Sequence, residues 1–74
     1  METLDLRGIP CPRNTSLALI KLSTMDLNST LEILIDDGEP IENVPSSIAL
    51  EGHRILIQKK IDSNHWLLQI QVNA

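Results

Sequence analysis

The sequence predicts an α/β (α+β) two-layer sandwich, in which a mixed four-stranded sheet carries two helices on one face. Three observations predict this fold. Four short segments show the two-residue period of strands, and two longer segments carry apolar residues at helical spacing. The segments follow one another in the order β-α-β-α-β-β. The 74 residues are enough for a single domain, which we expect to span residues 1–74.

The first strand is predicted at residues 4–7, where leucines alternate with charged side chains. The first helix is predicted from Pro12 to about Asp26, because this stretch contains no glycine and no internal proline. Asn28 is expected to adopt the left-handed conformation that closes the helix. The apolar stripe of this helix is predicted at Ala18, Leu22 and Met25, flanked by Leu17 and Ile20.

The second strand is predicted at residues 31–36, with its alternate isoleucines in the core. Residues 37–40, with the sequence Asp-Gly-Glu-Pro, are expected to form a loop. Proline is poorly tolerated deep in a helix, so Pro45 is placed in the first turn of the second helix. That helix is therefore predicted from about Asn43 to Gly52.

The last two strands are predicted as an antiparallel hairpin around a polar turn at residues 62–64. Ile55 and Ile57 should share the buried face of the third strand, and residues 66–72 should alternate in the fourth. Each strand–helix–strand unit should be parallel with a right-handed crossover.

The second face of the sheet is expected to meet water. Its predicted members are Asp5, Arg7, Glu32, Asp36, Gln58, Gln69 and Gln71. Leu34, Leu56 and Leu67 share this face, and we interpret them as scattered exposed leucines rather than as a docking patch.

Composition excludes several classes of protein. The net charge is −4, from ten acidic and six basic residues, whereas nucleic-acid binders need clustered positive charge. No apolar run approaches the ~20 residues of a membrane span, and the amino terminus does not resemble an export signal. The single cysteine has no partner for a disulfide or a zinc finger, and it favours a reducing compartment, so we expect a cytoplasmic protein.

Cys11 is the most informative residue, because it lies between two prolines at the start of the first predicted helix. We place Pro12 at the first helical position and Cys11 at the N-cap. The free N–H groups of the first turn would then point towards the sulfur, and the helix dipole would favour its thiolate form. This is the environment of a reactive cysteine. The alternative is a small apolar residue packed at a strand–helix junction.

The segment Leu4–Pro12 resembles the opening motif of the TusA family of sulfur carriers, Leu-Asp-x-Arg-Gly-x-x-Cys-Pro-x-Pro, also known through its SirA and YedF members. The Asp36-Asp37 pair, Pro45 and Gly52-His53 match later landmarks of the family without a gap. The resemblance covers essentially the whole chain. It implies the same α/β sandwich and a small cytoplasmic carrier that holds sulfur as a persulfide.

The resemblance further implies that Cys11 is the sulfur-carrying nucleophile, loaded by a cysteine desulfurase or a similar donor and unloaded by an acceptor protein. Known outlets of the family are tRNA thiolation and sulfur trafficking. Pro12 would be the helix-starting residue behind the sulfur. The second proline of the motif is replaced by Asn14, which restores an N–H that is able to bond the sulfur but loosens the first turn.

The residues around Cys11 are candidates for binding partners. Arg7 and Arg13 either add positive potential near the sulfur or contact an acidic patch on a partner; the alternative for Arg13 is a solvated residue. Pro12 and Asn14 complete this predicted surface. We expect no metal and no organic cofactor, no direct contact with nucleic acid or membrane, and a monomer or weak homodimer.

Other polar residues are assigned structural roles. Asp36 and Asp37 are expected to form a turn rather than a catalytic pair, His53 to make an ordinary hydrogen bond, and His65 to be exposed. Two further function classes stay open beside the sulfur carrier. One is a non-catalytic interaction or regulatory domain of the same fold, and the other is an RNA-binding module, which the acidic balance disfavours.

Overall fold

A computed structural model describes residues 1–73, and it confirms the predicted fold class and order of elements. Two helices lie on a four-stranded sheet. The elements are β1 (Glu2–Asp5), α1 (Arg13–Ser23), β2 (Thr30–Asp36), α2 (Glu39–Leu50), β3 (Arg54–Lys60) and β4 (His65–Gln71).

The strands are arranged in the order β1-β2-β4-β3. β1 is parallel to β2, and β4 is antiparallel to both of its neighbours. β3 therefore runs in the same direction as β2, as a helical crossover requires. Because β1 and β2 are parallel, α1 and α2 both begin at the same end of the sheet. This end carries the segment around Cys11.

One hydrophobic cluster joins the helices to the covered face of the sheet. Its centre is the fully buried, alternating side chains Leu31, Ile33 and Ile35 of β2, which is the pattern expected of a strand with one buried face. The other members are Leu6, Ala18, Leu22, Ile41, Val44, Ile48, Leu68, Ile70 and Val72. With almost no aromatic residues, the protein builds this core from aliphatic side chains.

α2 begins at Glu39, earlier than predicted, and Pro45 lies in its interior rather than in its first turn. Pro40 occupies the first turn, where no N–H is needed. Ile41, Val44 and Ile48 have helical spacing and are all buried on one face of the helix. Burial of this whole face, Pro45 included, outweighs the one backbone hydrogen bond that the proline removes.

β1 and α1 are both shifted relative to their predicted limits. β1 ends at Asp5, although Leu6 beyond it stays buried. α1 ends at Ser23 rather than at Asp26. Asn28 has a left-handed φ of 68°, as predicted, but it lies in the loop after the helix, where its N–H donates to the carbonyl of Val72 at 2.8 Å.

A β-bulge in β3 reverses two of the predicted side-chain directions. The register shifts between Ile55, which pairs with Ile70, and Ile57, which pairs with Gln69. Ile57 is therefore exposed on the open face, and Gln58 lies on the helix-covered side. The sequence analysis had predicted the opposite face for each of these two residues. A bulge adds one residue to one strand, so the simple alternation fails beyond it.

The open face of the sheet carries a small apolar pair. Leu34 of β2 and Leu67 of β4 are directly opposite one another, and both are half-buried. Leu56 lies in the bulge and is exposed. Among residues 1–73, no helix has the length and apolar character needed to cross a bilayer.

Candidate functional site

The loop before Cys11 is anchored in the core at two points. Leu6 is buried, and its N–H donates to the carbonyl of Leu34 at 2.8 Å. Ile9 packs against the same core, and its N–H donates to the Leu6 carbonyl at 3.2 Å. Gly8 lies between them with a φ of 78°, a conformation that a side chain would strain. The loop therefore turns sharply and leads the chain to Pro10 and Cys11.

A carboxylate from β2 holds this loop in place. Oδ2 of Asp36 accepts a hydrogen bond from the Gly8 N–H at 2.8 Å. Oδ1 of the same residue lies 3.6 Å from Nε2 of His65, and Nδ1 of His65 lies 2.9 Å from Oδ1 of Asp62. Sequence reasoning assigned Asp36 to a turn and missed this long-range bond. The Asp-Asp pair at the end of β2 was the available signal.

Cys11 lies one residue further from the helix than predicted. The N-cap of α1 is Pro12, and Arg13 is the first helical residue. The Cys11–Pro12 peptide bond is cis. Helical hydrogen bonding nevertheless starts before the helix, because the Asn14 N–H donates to the Pro10 carbonyl at 3.1 Å. Cys11 is therefore enclosed by the first turn, and it is partly exposed rather than sealed in the core.

The side chain of Asn14 lies behind the sulfur. Asn14 is fully buried, and its Nδ2 donates to Sγ of Cys11 at 3.3 Å. Its Oδ1 accepts the backbone N–H of Thr15 at 2.6 Å. Burial of an amide without partners costs about 1–3 kcal/mol, and here the amide oxygen has two partners and the amide nitrogen has one.

The expectation that backbone N–H groups of the first turn point at the sulfur is wrong for most of that turn. The N–H of Asn14 is bonded to Pro10, that of Thr15 to the Asn14 side chain, and that of Ser16 to the Pro12 carbonyl. The donor that reaches the sulfur is instead a side-chain amide. The sequence analysis expected the backbone N–H of Asn14 to be able to bond the sulfur, but that N–H donates to the Pro10 carbonyl, and the direction of the Asn14 side chain was not predicted.

Arg7 is paired with Asp5. Its Nε and a terminal guanidinium nitrogen donate to the two carboxylate oxygens of Asp5 at 2.9 and 2.8 Å. These hydrogen bonds, with one from the Arg7 backbone N–H, lower the pKa of Asp5 from 3.8 to about 2, and the same pair raises the pKa of Arg7. Arg7 therefore faces solvent with its charge largely balanced by a neighbour.

Pro12 and Arg13 are both exposed at the start of α1, beside the partly exposed Cys11. Four of the predicted site residues are consecutive in the chain, at 11–14, and they form the start of α1 together with the residue before it. Asn14 differs from its neighbours because it is buried, so its side chain faces the sulfur rather than the surface. Arg7 belongs to the preceding loop and is oriented towards Asp5.

The corresponding loop before α2 is rich in carboxylates that are already engaged. Oδ1 of Asp37 accepts the indole N–H of Trp66 at 2.7 Å, and Lys60 lies nearby, so the pKa of Asp37 is lowered. At the adjoining turn, the ring of His65 and the backbone N–H of Asn64 lower the pKa of Asp62. Both aspartates support turns, as predicted for this region.

The other polar groups described above, all within residues 1–73, do not converge on Cys11. A surface pocket between α2 and β4 is lined by Asp37, Pro45 and Trp66, among others, and Cys11 is not part of its wall. His53 accepts a hydrogen bond from the Asn73 N–H at 3.2 Å, the ordinary role predicted for it, whereas His65 is half-buried rather than exposed. Within residues 1–73, no group of three or more potential ligands is arranged to hold a metal ion.

A small α+β sandwich with one partly exposed thiol beside the first turn of a helix belongs to the class of thiol-bearing α/β domains. The particular family follows from comparison with known sequences. The family model described as sulfurtransferase TusA matches residues 2–72. The chain belongs to the TusA family.

Two relatives support this assignment. One, from Archaeoglobus fulgidus, is provisionally described as a sulfur carrier protein, and it is 33% identical over 70 residues, covering 95% of this chain and 80% of the relative. Another, from Thermotoga maritima, has the same provisional description and is 30% identical over 71 residues, with 96% and 90% of the two chains covered.

Two solved structures share the fold. A SirA-like protein from Desulfitobacterium hafniense superposes with a TM-score of 0.83 at 19% identity, and both chains are covered completely. A protein from Helicobacter pylori, solved in solution, superposes with a TM-score of 0.79 at 22% identity, again over the whole of both chains. At these identities the comparison shows the common fold.

Proposed function

We propose that this protein is a sulfur carrier, in which Cys11 holds a sulfane sulfur as a persulfide and relays it from a donor protein to an acceptor protein. The observation that carries the proposal is the placement of Cys11. It is the single thiol of a TusA-family chain, partly exposed at the start of α1 and supported by a loop fixed in the core. A thiol in that position is accessible to a partner and lies near the positive end of the helix.

Loading and delivery are both thiol exchanges. In loading, the Cys11 thiolate attacks the outer sulfur of a donor persulfide; the new Sγ–S bond forms as the donor S–S bond breaks, and the donor leaves as a thiolate. In delivery, the thiolate of an acceptor attacks the outer sulfur held on Cys11. The acceptor becomes a persulfide, and Cys11 returns to its thiolate. Neither step needs a metal or an organic cofactor.

The partners we propose are proteins. A cysteine desulfurase is the first candidate for the donor, and the acceptor belongs to a pathway of tRNA thiolation or sulfur trafficking in the cytoplasm. Pro12 and Arg13 are exposed next to the sulfur and would contact whichever partner is bound. Arg7 would contribute less, because Asp5 balances its charge. With the small Leu34–Leu67 pair on the open face, we propose a monomer or a weak homodimer.

The test is incubation of the purified protein with a cysteine desulfurase and cysteine, followed by intact mass spectrometry without reductant. The wild-type protein should gain the mass of one sulfur atom, dithiothreitol should remove it, and Cys11→Ser should gain none. Cys11→Ser is a close steric match, so this variant separates the thiol from the fold. If no desulfurase and no inorganic polysulfide loads the wild-type protein, the carrier proposal fails and a non-catalytic interaction domain becomes the better interpretation.

A further inference from the structure

The orientation of the Asn14 amide is fixed by its neighbours. Oδ1 accepts the Thr15 N–H at 2.6 Å and lies 3.3 Å from the Thr15 hydroxyl oxygen. A rotation that exchanged oxygen and nitrogen would place the amide NH₂ against the Thr15 N–H, donor against donor. The NH₂ group must therefore point the other way, and there it meets Sγ of Cys11 at 3.3 Å.

The Asn14 amide contacts the sulfur, whereas three backbone donors of the first turn are engaged elsewhere. The N–H groups of Asn14, Thr15 and Ser16 are bonded to other acceptors. Asn14 itself is completely shielded from water, so water does not compete for the Nδ2 donor. A hydrogen bond from a shielded donor to a charged acceptor is stronger than one between neutral groups.

We propose that Asn14 is a catalytic residue of sulfur delivery, and that its Nδ2–H stabilises Sγ of Cys11 as the leaving thiolate. This inference rests on the proposed function. When an acceptor thiolate attacks the outer sulfur, the bond between that sulfur and Sγ breaks, and the electron pair stays on Sγ. The negative charge therefore develops on the atom that Nδ2 already contacts.

The same contact has the opposite effect on loading. There Sγ is the attacking nucleophile, and a hydrogen bond to a thiolate lowers its intrinsic nucleophilicity while it raises the thiolate fraction. These two effects oppose each other in loading, whereas in delivery a better leaving group is purely favourable. Asn14 therefore speeds release of the sulfur more than it speeds uptake.

A packing role alone makes a different prediction. If Asn14 only filled space under the first turn and capped it through Oδ1, its replacement would disturb the position of Cys11. Loading and release would then change together. The ratio of the two rates consequently separates a chemical role from a structural one.

The experiment uses small reagents so that no partner surface is involved. Wild-type protein, Asn14→Leu and Asn14→Pro are loaded with inorganic polysulfide, the loading rate is followed by intact mass, and the excess reagent is removed. Cyanide is then added; it attacks the outer sulfur, leaves as thiocyanate and returns Sγ as a thiolate. Asn14→Leu replaces the amide with an apolar group of similar volume, and Asn14→Pro places at this position the residue of the family motif.

Thr15→Val is the matched control. It removes the hydroxyl near Oδ1 but keeps the backbone N–H that orients the amide. We expect both Asn14 variants to release thiocyanate about tenfold more slowly than wild type, which corresponds to about 1.4 kcal/mol, with loading unchanged or faster. Thr15→Val should release at the wild-type rate. Circular dichroism melting curves identify any variant that has lost its fold. The loading and release rates of the Asn14 variant that remains folded are then compared with those of wild type.

Two results overturn the role of Asn14 while leaving the carrier intact: release at the wild-type rate from a loaded, folded Asn14 variant, or an equal fall in loading and release. Failure of the wild-type protein to load with either polysulfide or a desulfurase is a different outcome. It removes the proposed function itself, and the role of Asn14 falls with it.

Discussion

The first turns of α1 and α2 begin at the same end of the sheet, yet they differ in charge and in what lies before them. α2 starts with Glu39 and has a second carboxylate, Glu42, in its first turn. α1 starts with Arg13 and has no acidic residue in its first turn. At α2 the positive end of the helix dipole is balanced by the helix's own side chains. At α1 no acidic side chain of the first turn balances it, and the partly exposed Cys11 lies just before the helix.

The loops before the two helices also differ in the group that each one places next to its helix. Before α2, Asp37 is engaged by the indole of Trp66 and lies near Lys60. Before α1, the Cys11 thiol is contacted by a buried neutral amide. The comparison teaches that the first turn of α2 carries its own negative charge, whereas the first turn of α1 carries none and has a partly exposed thiol before it.

The largest expected effect is a loss of stability that leaves the rate of sulfur loading unchanged. Ile48→Ala removes a fully buried side chain from α2 and should lower the free energy of unfolding by about 2–5 kcal/mol, measured by urea denaturation. Sulfur loading by the folded protein should stay at the wild-type rate. Ile48→Val, with an expected cost of about 0.5–1.5 kcal/mol, is the milder companion if the alanine variant does not fold. Slower loading in a folded sample would show that α2 takes part in the chemistry.

Reversal of the charge at the first position of each helix tests the difference between the first turns of α1 and α2. Arg13→Glu places a carboxylate at the first position of α1, beside Cys11, and should slow alkylation of the thiol by uncharged iodoacetamide about fivefold. The cause is that the added negative charge disfavours the thiolate. Salt should reduce the difference, because both groups are near the surface.

The mirror variant, Glu39→Arg, changes the charge at the first position of α2 by the same amount in the opposite direction. It should leave the alkylation rate of Cys11 unchanged and lower stability slightly, since a cation is unfavourable at a helix N-terminus. Effects of equal size and opposite sign on the alkylation rate would mean that net charge, and not the first turn of α1, controls Cys11.

The smallest expected effect is on the pH dependence of the stability of the fold. Because the pKa of Asp5 is about 2 in the folded protein and 3.8 is its ordinary value, its pairing with Arg7 stabilises the fold fully above the ordinary value. That contribution is lost as the pH falls through about 2. The urea midpoint should therefore fall less steeply between these two values in Asp5→Asn than in wild type. The same slope in both proteins would show that the Arg7 pair does not contribute to stability.

Much of the fold follows from local pattern. The alternation in β2 and β4 placed the core residues of these strands correctly. The pattern failed at Ile57, because one extra residue in the β3 bulge leaves no mark on composition. It also failed at Pro45, because burial of a whole helix face overrides a local preference that is worth only a few kcal/mol.

The site was predictable in position but not in detail. The flanking prolines and the motif singled out Cys11 and its segment. The sequence does not reveal that the N-cap falls on Pro12, since helix ends depend on how the loop leaves the sheet. The contact between Asn14 and the sulfur depends on a buried side-chain rotamer that Thr15 selects, and the bond from Gly8 to Asp36 joins residues far apart in the chain.

The most direct measurement follows a single sulfur atom into and out of the protein. The protein is loaded by a desulfurase with cysteine that carries heavy-isotope sulfur, repurified, and mixed with an acceptor thiol while both masses are recorded. We predict that the label first appears on the peptide containing Cys11 and then on the acceptor, with one sulfur lost by the protein for each one gained. Label that never reaches Cys11, or that stays there with excess acceptor present, would contradict a carrier.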